Sequence, residues 1–200
     1  APFQVALHNG TVYLKTEYGA PRGQVLACSL DVFREAGEGD GELDPDDLDA
    51  AIPEREGTLE SIAVAENGLV AHHQRDATSQ LRRYDLDGEG ENDADDGDPV
   101  PLDVPDNSTV AGLTANRDAP EAFSLVQSFD RPPSVVRADL DAGTTAVRDR
   151  VEVDVPGDLV VRQEWFESTD GAEVPVFVVH REGVDRDGDN PAVLYGYGGF

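Results

Sequence analysis

The run Leu69-Val70-Ala71-His72-His73-Gln74-Arg75-Asp76-Ala77-Thr78-Ser79-Gln80-Leu81-Arg82-Arg83-Tyr84-Asp85-Leu86-Asp87 reads as a strand, a tight turn and a second strand closed by a Leu-Asp pair. The same phrase occurs twice more. Leu-Asp pairs stand at Leu30-Asp31 and Leu140-Asp141, spaced 56 and 54 residues from the central one. Each closes a strand-like stretch, Gln24 to Ser29 and Ser134 to Ala138, as Gln80 to Tyr84 does in the middle. About ten residues earlier comes a turn, Gly19-Ala20-Pro21 or Asp130-Arg131-Pro132-Pro133. Before each turn lies a further strand candidate, Thr11 to Glu17 or Glu121 to Phe129.

Alternating strands, hairpin turns and a repeat near 50 residues predict β-propeller blades for residues 1–150. The texture changes after Arg150. Val151 to Val155 and Leu159 to Phe166 read as strands, and Ser168-Thr169-Asp170-Gly171 as a turn. Val174 to His180 and Pro191 to Tyr195 are apolar runs of the kind expected in a sheet buried on both faces. Residues 151–200 are therefore read as the start of a second domain.

Forty-two acidic residues against 15 basic ones leave a net charge of −27. Lys15 is the only lysine. Such a charge repels itself in a compact state unless salt screens it, and at about 1 M salt the Debye length falls to about 3 Å. The composition points to a salt-adapted cytoplasmic protein; an acidic disordered tail is the other reading, but the acid is spread among good strand patterns. A polyanionic surface disfavours nucleic acid as a partner. No apolar run reaches the roughly 18 residues of a membrane-spanning helix, no signal peptide is visible, and the chain reads as soluble. The absence of methionine and the stop in a glycine-rich turn suggest a segment of a longer protein.

Few residues offer chemistry on their own. Cys28 lies in a strand pattern with no second cysteine to pair with, so it reads as a buried strand residue rather than a reactive thiol. The acidic stretch Asp85 to Asp98 places Asp85, Asp87, Glu89, Gly90, Glu91, Asp93 and Asp96 at calcium-loop spacing, but position 12 is Asp and no amphipathic helix flanks it. It reads as a solvated loop first. His72 and His73 are neighbours on a strand and point to opposite faces, a poor metal pair. No metal and no cofactor are expected.

The C-terminal fifty residues resemble the prolyl oligopeptidase family. The matching elements are the Ser168-Thr169-Asp170-Gly171 turn, Val174-Pro175-Val176-Phe177 with His180, and Pro191 to Phe200, ending Tyr195-Gly196-Tyr197-Gly198-Gly199-Phe200. Thr16 to Arg22 and Ile52-Pro53-Glu54 resemble late-blade segments of the same family. The resemblance implies a mostly β chain: about three blades of a seven-bladed propeller, followed by the first strands of an α/β-hydrolase domain. It implies a serine peptidase that admits short peptides and cleaves after proline. It assigns Tyr197 as an oxyanion-hole donor and Phe200 as a lining residue of the substrate pocket. From spacing alone, both read first as turn and core aromatics. The family's nucleophile sits in a G-x-S-x-G elbow, and none of this chain's serines is so placed. The segment alone is expected to be inactive and to require the remainder of the peptidase domain. Two alternatives stay open: a related oligopeptidase cleaving after basic residues, and a non-catalytic propeller-like binding protein.

Overall fold

A computed structural model describes residues 3–37, 43–86 and 99–196. It contains three four-stranded antiparallel sheets, each a simple meander, and one separate hairpin. The first sheet comprises β1 (Gln4–His8), β2 (Thr11–Thr16), β3 (Gln24–Ser29) and β4 (Asp49–Ile52). The second comprises β5 (Thr58–Val64), β6 (Gly68–Arg75), β7 (Thr78–Asp85) and β8 (Val100–Leu102). The third comprises β9 (Thr109–Asn116), β10 (Glu121–Ser128), β11 (Arg131–Asp139) and β12 (Thr144–Arg150). The hairpin pairs β13 (Leu159–Glu167) with β14 (Glu173–Arg181). The first strands of adjacent sheets lie against one another, β1 on β5 and β5 on β9, so the sheets converge there.

Alternation along the strands fills the seams between sheets. Leu69 and Ala71 of β6 enter a core with Ala6, Tyr13, Val25 and Ile52 of the first sheet. Val70, one residue out of phase, enters the other core with Val110, Val126, Val136 and Leu140 of the third. The second sheet is thus covered on both faces, and six successive residues of β6 are buried.

Polar links join the sheets as well. The Gln4 side chain donates to the Ile62 carbonyl at 2.7 Å and accepts from the Ile62 N–H at 2.9 Å, tying β1 to β5. The Leu59 N–H donates to the Arg22 carbonyl at 2.7 Å. Gly23, at φ +88°, sits so close to Leu59 that a Cβ would lie 2.9 Å from the leucine Cβ; only glycine meets both demands. The β6–β7 turn has the two residues Asp76 and Ala77 at φ 51° and 62°, the twist that a two-residue hairpin loop favours.

Several expectations need correction. Val151 to Val155 form no strand. β12 ends where its partner β11 begins Arg131-Pro132-Pro133, and two prolines offer no N–H to continue the ladder; the Val151 N–H makes a bond to the Pro133 carbonyl at 2.9 Å. Pro191 to Tyr195 is neither strand nor buried: among the described residues no strand pairs with it, and Val193 is 96% exposed. Val174 to His180 is a strand, but among the described residues the hairpin has only two strands and no sheet packed on either face, and Val174 and Val179 are exposed. Cys28 is half-buried rather than buried. Leu30-Asp31 opens a helix, α1 (Leu30–Gly37), rather than only closing a strand; the Ser29 hydroxyl accepts from the Val32 N–H at 3.3 Å at its start. A 3-10 turn, Pro45–Asp47, follows and is capped by Asp44.

Candidate functional site

The two residues expected to carry chemistry, Tyr197 and Phe200, lie outside the described residues, as does the calcium-like run beyond Asp85. The segment leading to them is described as far as Gly196. In the hairpin, the Ser168 N–H donates to the Ala172 carbonyl at 2.7 Å and the Gly171 N–H to the Ser168 carbonyl at 2.9 Å, with Gly171 at φ +84°, so the Asp-Gly turn forms as read. The hairpin is anchored lightly to the sheets. The Gln163 side chain donates to the Asp76 carbonyl. The Asn107 side chain donates to the Val161 carbonyl at 3.4 Å, and the Phe177 ring lies 5.6 Å from that of Phe129. Between β13 and the outer part of the second sheet opens a cavity of about 630 Å³, lined by Gln80, Arg82, Asp103, Asn107 and Gln163 among others.

Of the described serines and histidines, Ser79 and His72 come together, 2.8 Å apart, both buried. Ser79 Oγ accepts from the Val110 N–H at 2.9 Å, and its bond with His72 Nε2 runs in the direction that the imidazole tautomer sets. Burial lowers the His72 pKa from 6.5 to about 4, which keeps the ring neutral. The arrangement pins the second sheet to the third; closed from solvent, it is no nucleophile site. Among the described residues no group of three or more His, Cys, Asp or Glu could hold a metal ion. Burial raises the Cys28 thiol pKa, which opposes thiolate chemistry.

One cluster escaped the sequence reading. His73, Arg82 and Tyr84 share the face of the second sheet that meets the first. The register pairs His73 with Gln80, Ala71 with Arg82 and Leu69 with Tyr84, and Leu69 and Ala71 lie in that core. Burial first, then the charges of Arg82, His72 and Arg55, hold the His73 pKa at about 4. Burial raises the Tyr84 pKa, with Arg55 and Arg82 opposing it. Only the β6–β7 register reveals this grouping, because the residues come from two strands and a loop.

Residues 2–150 match the model of the prolyl oligopeptidase N-terminal β-propeller domain. The chain belongs to the prolyl oligopeptidase family. This is a family of serine peptidases, and the three meanders are part of its propeller domain. The prolyl endopeptidase of Elizabethkingia miricola is 25% identical over 95% of this chain and 24% of its own length. The solved structure of prolyl oligopeptidase B from Galerina marginata superposes with a TM-score of 0.71 at 24% identity, covering all of this chain and 27% of that one. Oligopeptidase B from Trypanosoma brucei superposes with a TM-score of 0.73 at 21% identity, over 98% of this chain and 27% of that one. The chain therefore spans about a quarter of the relatives it matches.

Proposed function

We propose that the chain supplies the last three blades of a seven-bladed propeller and, from residue 151, the first strands of an α/β-hydrolase domain, in a serine oligopeptidase that cleaves short peptides after proline. The observation that carries this reading is the order of elements. Three propeller-type sheets are followed by an Asp-Gly hairpin and then by the exposed run Pro191 to Tyr195, leading into Gly196-Tyr197-Gly198-Gly199-Phe200. The exposed apolar residues of the hairpin and of that run await a partner layer, which the remainder of the peptidase domain would provide. The propeller limits entry to short peptides. The net charge of −27 supports a salt-rich cytoplasm as its setting.

In this reading Tyr197 donates its hydroxyl to the oxyanion that forms as the nucleophile, supplied by the rest of the peptidase domain, attacks the scissile carbonyl. Phe200 lines the pocket for the proline ring. A donor aimed at developing charge acts on the transition state and little on the bound substrate. In the complete enzyme, Tyr197→Phe should lower kcat about 10²-fold with KM little changed. Tyr195→Phe is the control and should leave kcat intact. Steady-state kinetics on paired chromogenic peptides, one with proline and one with arginine before the cleaved bond, make the test. Unchanged kcat in Tyr197→Phe would remove the oxyanion role. A preference for the arginine peptide would move the enzyme to the basic-residue class.

A further inference from the structure

In a chain with 42 acidic and 15 basic residues, a partly buried arginine without a carboxylate is unexpected. Among the described residues, Arg34, Arg75, Arg83, Arg131, Arg137, Arg181 and Arg186 each pair with a carboxylate within 4 Å. The arginines that do not are exposed, with two exceptions: Arg55 and Arg82. The acids beside Arg55 in sequence are engaged elsewhere. Glu54 accepts from the Arg22 N–H at 2.8 Å, and Glu56 pairs with Arg75 at 2.5 Å. Along β7 the contrast is direct. Arg83, on one face, pairs with Asp85 and donates to the Leu140 carbonyl, whereas Arg82, on the other, donates to the neutral amide of Gln80 at 2.9 Å.

Around these two guanidinium groups lie further polar atoms without partners. Arg55 Nε and His73 Nδ1 are buried and make no hydrogen bond among the described residues, and the buried Tyr84 phenol has the Arg82 guanidinium beside it. His73 is only 2% exposed. Register places the His73 side chain diagonal to Arg82 across the small Ala71, and Tyr84 two residues along β7 from Arg82, all on one face and within reach of a shared centre. A buried donor left unpaired costs about 1–3 kcal/mol, so Arg55 Nε and His73 Nδ1, together with two guanidinium charges that no carboxylate among the described residues meets, call for an occupant. Arg82 also lines the open cavity between the second sheet and the hairpin, which gives solutes a route to it.

We propose that Arg55, Arg82, His73 and Tyr84 form a binding site for a small carboxylate anion at the seam between the first and second sheets. The donors suit that class. Two guanidinium groups offer planar forks that match a carboxylate, and a phenol, with an imidazole that can carry its proton on Nδ1, can fill its remaining lone pairs. The site is remote from Tyr197 in sequence and lies toward the outer strands, away from the converging first strands. It does not rest on the peptidase assignment.

Because the protein is so acidic, any salt stabilises it by screening; the test therefore compares sodium acetate with sodium chloride at equal ionic strength. Acetate should raise the thermal midpoint above its value in chloride, and titration calorimetry at constant ionic strength should show saturable binding of one acetate. Arg82→Gln should weaken that binding at least about tenfold and abolish the acetate-specific part of the shift. Tyr84→Phe keeps the ring packing and removes one donor, so it should weaken acetate binding even if Arg82→Gln fails to fold. The proposal is overturned if calorimetry detects no acetate binding, or if Tyr84→Phe and a folded Arg82→Gln bind acetate as the wild type does.

Discussion

β6 and β14 read almost alike in sequence, as apolar runs ending in a histidine and a basic residue, yet one is buried on both faces and the other on neither. Leu69, Val70 and Ala71 are at most 1% exposed, while Val174 and Val179 are 44% and 40% exposed. The difference lies in the neighbours. β6 sits inside a four-stranded sheet with another sheet on each side, whereas β14 has one partner strand among the described residues and the Phe177–Phe129 ring contact, the bonds to Asn107 and Asp76 being made by β13. An apolar run states that a strand wants covering. It does not state what covers it.

The largest effect should fall on β6. Leu69→Ala deletes a fully buried side chain of the core that also holds Val25, Ile52 and Ile62, and should destabilise the fold by about 2–5 kcal/mol. Denaturant midpoints would show it. A loss under 1 kcal/mol would mean that the seam relaxes to fill the space, and that the two strands differ less than their burial suggests.

Next comes acid. His72 and His73 titrate in the fold at about 4, below the ordinary 6.5, because burial disfavours the charged ring. A depressed pKa means that the unfolded chain takes up protons first. The stabilisation is therefore complete above about pH 6.5 and is lost as pH falls toward 4. Between pH 7 and 5 each imidazole should account for up to about 2 kcal/mol. Measured at pH 7 and pH 5, the wild type should lose more stability than His72→Gln. Equal losses in both would remove the buried His72 imidazole as the cause.

The contrast between the strands also marks how far the sequence could be read. The Leu-Asp spacing located three equivalent third strands, because a strand that closes a meander needs the same alternation and the same exit each time; β3, β7 and β11 stand where the repeat put them. The Asp-Gly hairpin was equally legible, since turn chemistry is local. What failed depended on distant partners. Val151 to Val155 alternates well but faces Pro132 and Pro133, and Pro191 to Tyr195 finds no strand to pair with among the described residues. α1 was missed although Ser29 and Asp31 are sound helix-start residues, because Leu30-Asp31 read as the close of a strand. The group of His73, Arg82, Tyr84 and Arg55 could not be seen at all without the register that assembles it.

The smallest effect should come from β14, and it separates two explanations of its exposure. In the 200-residue chain, Val179→Ala removes a side chain already 40% exposed and outside both buried cores, so stability should change by no more than about 0.5 kcal/mol. In the complete enzyme the proposed peptidase domain would pack over the hairpin, and the same truncation would then empty a covered site at a cost of about 1 kcal/mol or more. Paired denaturant midpoints in the two contexts decide between them. A cost that rises with chain length places the missing layer on this hairpin. A cost of 0.5 kcal/mol or less in both would leave β14 a solvent-facing ribbon, and the apolar run at Val174 to Val179 would need another explanation. A large cost already in the short chain would contradict the comparison itself, because it would show the hairpin packed more tightly on the sheets than its few anchors indicate.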